Sequence, residues 1–171
     1  MSSSQTPAKK PKPAPRYKHP RDGLGPYISH PTGFPPGEVI QHTPDYVYIR
    51  DRYPKATVHT LLLPRDATKT LLDPFKAFED AEFLRATKEE AEKLRRLVAA
   101  ELKRKFGEQN GREWEKEVKV GVHSNPSMNH LHVHVISRDN HSERLKTGKH
   151  YSTYIPRVEG GRRVNCLGRF F

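Results

Sequence analysis

One cysteine, Cys166, stands in a chain of 171 residues. That excludes an intrachain disulfide and any zinc module built from several cysteines of this chain. Apolar residues make up only 33% of the sequence and mean hydropathy is −0.88, so part of the chain is not expected to pack into a core. No apolar run approaches the ~20 residues of a membrane-spanning helix. The start, Met-Ser-Ser-Ser-Gln-Thr-Pro, lacks the apolar stretch of a secretory signal. These absences lead us to expect a soluble intracellular protein without a membrane partner. Acidic residues are also in short supply: 20 Asp and Glu against 31 Lys and Arg leave a net charge of +11. A surplus of that size favours a polyanionic partner, nucleic acid ahead of an acidic membrane surface, with simple solubility as the plain alternative.

The length suits one domain with a tail. Residues 1–20 carry Lys9, Lys10, Lys12, Arg16 and Lys18 among prolines and serines, and read as a disordered basic arm. Its Pro-Ala-Lys-Lys-Pro-Lys-Pro matches a nuclear import signal or a nonspecific basic tail. Packed structure is expected to begin between residues 21 and 45. Tyr46–Arg50 is a β-rich run, Asp51–Lys55 a turn signal, and Thr57–Leu63 a second strand ended by Pro64, together an antiparallel pair. Thr87-Lys88-Glu89-Glu90 matches a capping box. Ala91, Leu94, Leu97, Val98, Leu102 and Phe106 then recur at helical spacing up to Gly107, with a charged face that reads as solvated. Glu117–His123 alternates as a third strand, Asn125-Pro126 breaks it, and residues 130–136 form a fourth. The expected fold is α+β: an antiparallel sheet with one long amphipathic helix packed on it.

That fourth strand carries the chemistry. His130, His132 and His134 alternate with Leu131, Val133 and Val135. Period two places three imidazoles on one face and three aliphatic side chains on the other. Three readings are open. Zinc could be held by imidazoles, but three residues at i, i+2 and i+4 along one strand span roughly 13 Å. Metal–nitrogen bonds are only about 2 Å long, and no carboxylate or cysteine is evident beside the row. Structural histidines at a sheet edge are the second reading. The third is nucleophilic attack on phosphorus, with a neutral central imidazole, His132, flanked by donors to the phosphate oxygens.

The run His130-Leu131-His132-Val133-His134-Val135-Ile136 resembles the signature of the histidine-triad (HIT) nucleotide hydrolases and transferases. Its surroundings, His123, Pro126-Ser127-Met128-Asn129, Ile136-Ser137-Arg138-Asp139 and Leu145-Lys146-Thr147-Gly148-Lys149-His150-Tyr151, are similar to the aprataxin branch of that family. So are Asp51-Arg52-Tyr53-Pro54-Lys55-Ala56, His59 and Leu62-Leu63-Pro64. Arg21-Asp22-Gly23-Leu24-Gly25-Pro26-Tyr27-Ile28 resembles the short element that opens fungal aprataxin-like proteins. The resemblance spans residues 21–154, the expected catalytic domain.

What it implies is removal of AMP from 5′-adenylated DNA nicks or ends, which reverses abortive ligation in single-strand break repair, in the nucleus, with AMP as product and no cofactor. His132 would be transiently adenylylated, with His134 and His130 orienting it and the phosphate oxygens. His123 would act as general acid or contact the leaving phosphate. Ser127 and Lys149 would bind phosphate oxygens, Asp51 the ribose hydroxyls, with Lys55 beside it, and Leu24 and Tyr27 would line the adenine slot. Without the resemblance, Asp51, Lys55 and Ser127 are ordinary turn residues and His59 a satisfied core histidine. A general hydrolase of small AMP conjugates or dinucleoside polyphosphates, or a weakly active nucleotide- or DNA-binding protein, are the competing expectations. Residues 155–171 depart from the family and carry no zinc finger, so this end is expected to be an alternative or misread terminus.

Overall fold

The computed structural model describes residues 19–109, 111–123 and 126–139, together with the backbone of short strands at 153–154, 157–159 and 162–164. The basic arm before His19, and the segment holding Lys146, Lys149 and His150, lie outside the described residues. A short helix α1 (Gly25–Ser29) leads to strands β1 (Val39–His42), β2 (Tyr46–Arg50) and β3 (His59–Pro64). Helices α2 (Pro74–Ala77) and α3 (Ala81–Phe106) follow, then β4 (Val118–His123) and β5 (Val133–Ser137). The backbone continues as β6 (Thr153–Tyr154) and a separate hairpin of β7 (Arg157–Glu159) and β8 (Arg162–Val164).

The main sheet is antiparallel throughout, in the order β1-β2-β3-β5-β4-β6. The expected pairing of β2 with β3 is present, with Tyr46 opposite Pro64 and Arg50 opposite Thr60. The expected α+β class, with a long helix on an antiparallel sheet, is the architecture observed.

Both faces of the sheet are covered, and each cover has its own sequence logic. On one face, Leu84, Ala91, Leu94, Val98 and Leu102 of α3 meet Tyr46, Tyr48, Leu62, Val118, Val122, Val133 and Val135. These residues are the apolar stripe of α3 and one pleat of each strand. On the other face, Leu24 and Ile28 from the α1 region pack on Val47, Ile49, Leu61 and Leu63. Strands β2 and β3 are therefore buried on both sides.

The long helix begins earlier than the capping-box signal indicates. Its cap is Asp80, whose side chain accepts from the backbone N–H groups of Glu82 and Phe83. Thr87 and Glu90 are instead buried in the helix interior. Thr87 meets the Tyr46 hydroxyl at 3.1 Å, and the Tyr48 hydroxyl donates to Glu90 at 2.6 Å. The polar residues that imitate a cap are partners for two core tyrosines, which would otherwise be buried unsatisfied. The far end agrees with the sequence: Gly107 follows Phe106 at φ 76°, the left-handed region that glycine enters at no steric cost.

Candidate active site

The pocket of about 490 Å³ opens on the face of the sheet opposite α3. It lies where β4 and β5 meet the α1 region. In β5, only Val133–Ser137 is strand. His134 sits opposite Leu61 of β3 and Gly121 of β4. Directly opposed residues share a face, so the pleat brings His134 and His123 to the same side of the sheet, with no side chain at Gly121 between them. Their ring centroids are 4.2 Å apart, and His132 lies 4.9 Å from His134 and 6.5 Å from His123.

The histidine row is thus not one straight strand. His130 and His132 precede β5, and the His130 ring does not line the pocket. What His130 contributes is its backbone carbonyl, 2.7 Å from Nδ1 of His132. A carbonyl only accepts, so Nδ1 carries the proton and Nε2 keeps its lone pair. The sequence assigns His130, with His134, to orienting the nucleophile and the phosphate oxygens; the structure places its backbone carbonyl on His132 Nδ1 and its ring outside the pocket lining. The ~13 Å span argued for His130 to His134 along one strand does not bear on the grouping observed, which takes His123 in place of His130. His123, His132 and His134 bring ligand nitrogens within 4.8 Å of one another, drawing on two strands rather than one.

His134 is held from behind. Its Nδ1 lies 2.8 Å from Nε2 of His59, and His59 Nδ1 faces Asp51 Oδ2 at 3.3 Å. The Lys55 backbone N–H also reaches His59 Nδ1, at 3.2 Å. Moving one proton along this chain switches His134 Nε2 between donor and acceptor. His59 is therefore no mere core histidine but the link between the Asp51 turn and the histidine cluster.

Burial dominates the electrostatics. It lowers His134 well below the ordinary imidazole value, with His132, His59 and His123 adding to the shift. It also lowers His132, outweighing the upward pull of the hydrogen bond to His130 and of Asp51. Burial pushes His59 down to about 4 against the opposing pull of Asp51. These rings are neutral near neutral pH, the state in which an imidazole is nucleophilic.

The rest of the lining divides by chemistry. Leu24, Tyr27, Phe34, Ile49, Leu61 and Met128 provide an apolar slot. Tyr27 stacks on Phe34 at 3.8 Å and donates its hydroxyl hydrogen to Glu38 at 2.7 Å. Arg52, Lys55 and Ser127 provide cationic and hydroxyl groups beside the histidines, whereas the Arg50 guanidinium is paired with Glu101 of α3. An apolar slot next to a cationic, imidazole-lined end suits a base joined to phosphates. Of the sequence-derived site residues, His123, His132, His134, Ser127, Asp51, Lys55, Leu24 and Tyr27 all line this one pocket.

Two braces position the walls. The Asp139 carboxylate accepts from the Thr57 backbone N–H at 3.1 Å and is also bonded by the Thr57 and Ser137 hydroxyls. That ties the end of the Asp51–Thr57 turn to the end of β5. The Arg21 guanidinium donates to the carbonyls of Pro126 and Ser127, both at 3.1 Å, and Asn129 donates to Asp22 at 2.7 Å. That ties the α1 region to the loop carrying Ser127.

Comparison with known proteins agrees with this arrangement. Residues 32–150 match the family model for the scavenger mRNA decapping enzyme C-terminal binding domain. An aprataxin-like protein of Schizosaccharomyces pombe is 31% identical over 143 residues, covering 78% of this chain and 58% of that protein. An aprataxin-like protein of Saccharomyces cerevisiae is 31% identical over 150 residues, covering 78% of this chain and 69% of that protein. A solved structure of Hnt3 in complex with DNA and guanosine superimposes with a TM-score of 0.67 at 30% identity, over 78% of this chain and 69% of that one. This chain thus spans only 58% of the length of its fission-yeast relative. With its histidine cluster, sheet order and long helix in place, the chain belongs to the aprataxin-like proteins of the histidine-triad family.

Proposed function

We propose that this protein hydrolyses 5′-adenylated DNA, releasing AMP and restoring a 5′-phosphate end. The observation that carries the reading is the fixed tautomer of His132. The His130 carbonyl holds its Nδ1 proton, so the Nε2 lone pair belongs to the pocket. His132 attacks the phosphorus of the AMP group and forms a P–N bond. The P–O bond to the DNA phosphate breaks, and its electron pair leaves with that phosphate, beside His123. Water then attacks the adenylylated histidine and loses a proton to solvent, the P–N bond breaks, and its electron pair returns to Nε2. His134 faces the nonbridging oxygens, and in its Nε2–H form it donates to them as charge builds. None of these steps calls for a metal.

Ser127, Lys55 and, outside the described residues, Lys149 bind phosphate oxygens. Asp51 takes the ribose hydroxyls, while Leu24 and Tyr27 hold the base. DNA as the substrate carrier is supported by the net charge of +11 and by the DNA complexes solved for Hnt3. The basic arm supports a nuclear location and adds salt-sensitive grip on the DNA backbone.

The test is turnover of a nicked duplex bearing a 5′-AMP cap, beside a small AMP conjugate, with chelator present. We expect AMP and a free 5′-phosphate from the duplex, and their loss in His132→Ala. Preference for the small conjugate would reassign the chain to general adenylate hydrolysis. Binding of the duplex without turnover of either would make it a binding protein.

A further inference from the structure

We propose that a second cavity, between the end of α3 and the end of β5, binds a carboxylate carried on a short apolar stem. This cavity measures about 180 Å³ and shares no lining residue with the histidine pocket. Its walls include Leu102 and Phe106 of α3, Trp114 from the single helical turn Trp114–Glu117, and Arg138 just past β5. The Arg138 backbone N–H donates to the Glu117 carbonyl at 2.9 Å, which holds that turn against the strand end.

Two buried donors line the cavity unpaired. Trp114 is only 9% exposed, yet its indole Nε1–H has no hydrogen-bond partner among the described residues, and neither has the buried Nε–H of Arg138. Buried donors are normally satisfied, and a guanidinium is best satisfied by an anionic oxygen. The carboxylates nearby are committed elsewhere. Asp139 is bonded by the Thr57 and Ser137 hydroxyls, and Glu117 meets Arg112 at 3.6 Å. Burial, and then the charge of Arg138, push the Lys119 amine below its ordinary value, so two cations stand near one another on β4 and β5.

The remaining wall is apolar and rigid. Phe106 stacks on the indole at 5.9 Å, and the Arg112 guanidinium lies 4.7 Å over the same ring. With Leu102 they offer an apolar surface beside the two donors. Size then selects the ligand. Pockets for drug-sized molecules begin at about 300 Å³, so this one takes a carboxylate and a few carbons rather than a nucleotide. A free short-chain acid and the glutamate side chain of a partner peptide both present that head and stem.

The chain has a single tryptophan, so the indole N–H resonance reports this cavity directly. The isotope-labelled full chain is titrated at fixed ionic strength with butyrate, with butyramide, and with a blocked tripeptide carrying a central glutamate. We expect butyrate to move the Trp114 indole resonance downfield and to saturate. Butyramide, which keeps the stem without the charge, should leave it in place. Arg138→Gln should weaken butyrate binding by about tenfold, the scale of one lost charge-assisted hydrogen bond. Trp114→Phe, followed by calorimetry, should also weaken it while keeping a ring against Phe106. Thermal melts check both variants, and the titration of the unaltered chain stands even if Trp114→Phe does not fold. A saturating shift with the tripeptide as well would assign the cavity to a partner's side chain; a shift with butyrate alone would assign it to a free acid. An indole resonance that ignores butyrate and the tripeptide, or follows butyramide equally, overturns the site, as does equal affinity in folded Arg138→Gln.

Discussion

His59 Nε2 and His134 Nδ1 lie 2.8 Å apart in the buried floor of the pocket, on neighbouring strands β3 and β5. The Lys55 backbone N–H donates to His59 Nδ1, and Asp51 Oδ2 lies 3.3 Å from that same nitrogen, so the turn governs which His59 nitrogen carries the proton and, through it, the tautomer of His134. His59 is a positioning residue in this arrangement. We expect His59→Ala to lower kcat by about 10- to 100-fold with a smaller change in KM, the scale seen when supporting partners of site histidines are removed. His59→Asn or His59→Gln, which keep a side-chain donor, should recover part of the loss. Steady-state kinetics on an adenylated nick checks this; equal losses for alanine and amide variants would mean that His59 only fills space.

The Asp139 brace makes a stability prediction. Its carboxylate takes three hydrogen bonds from Thr57 and Ser137, joining residues 82 positions apart in sequence. Burial pushes its pKa up, but these bonds outweigh burial and hold the carboxyl below its ordinary value. Asp139→Ala should cost about 1 kcal/mol, because Thr57 and Ser137 lose a charged acceptor that water at this exposed residue replaces only in part. It should also loosen the turn that carries Asp51 and Lys55, raising KM. Denaturant melts and the KM of the same sample measure both effects. Loss of stability with an unchanged KM would show that the turn holds its shape without the brace.

Acid should unfold this protein through its buried imidazoles. Burial lowers His59 to about 4, and His132 and His134 also shift downward, while each titrates near 6.5 in an unfolded chain. Between those values the unfolded state binds protons that the folded state refuses. Stability is therefore full above about pH 6.5 and falls as pH drops toward about 4. Denaturant midpoints across that window should show the decline, and His59→Asn should make it shallower. A flat profile would mean that these rings charge freely inside the fold.

How much of this was legible in the sequence depended on the distance over which each feature is encoded. The alternation of His130–Ile136 and the helical spacing of Leu94, Val98 and Leu102 are local patterns, and both faces they define are buried as read. The helix start misled because Thr87 and Glu90 satisfy Tyr46 and Tyr48 across the core, which a local cap motif cannot distinguish from capping. His59 reads as a core histidine in the sequence because β3 is buried on both faces, so its residues do not alternate in polarity and no parity singles one out. The braces at Asp139 and Arg21 join segments far apart in sequence and leave no periodic trace. The place of His130 depended on where β5 begins, at Val133, three residues later than the alternation indicates, which leaves the His130 ring outside the pocket lining.

Arg21 provides the last test, because its role separates binding from chemistry. The guanidinium fork donates from Nε to the Ser127 carbonyl and from a terminal nitrogen to the Pro126 carbonyl. The Asn129 backbone N–H returns a bond to the Arg21 carbonyl at 2.9 Å, so the two segments are stitched from both sides. One segment carries Leu24 and Tyr27 of the apolar slot; the other carries Ser127 and leads into the histidines. Arg21→Ala should therefore widen the spacing between base slot and phosphate end, raising KM by about three- to tenfold while leaving kcat nearly unchanged. Lysine should rescue poorly, because a single ammonium cannot serve two carbonyls in the geometry of a planar fork. A fall in kcat with KM unchanged would mean instead that Arg21 acts on the reacting atoms through the Ser127 loop. Full rescue by lysine would reduce its part to charge alone.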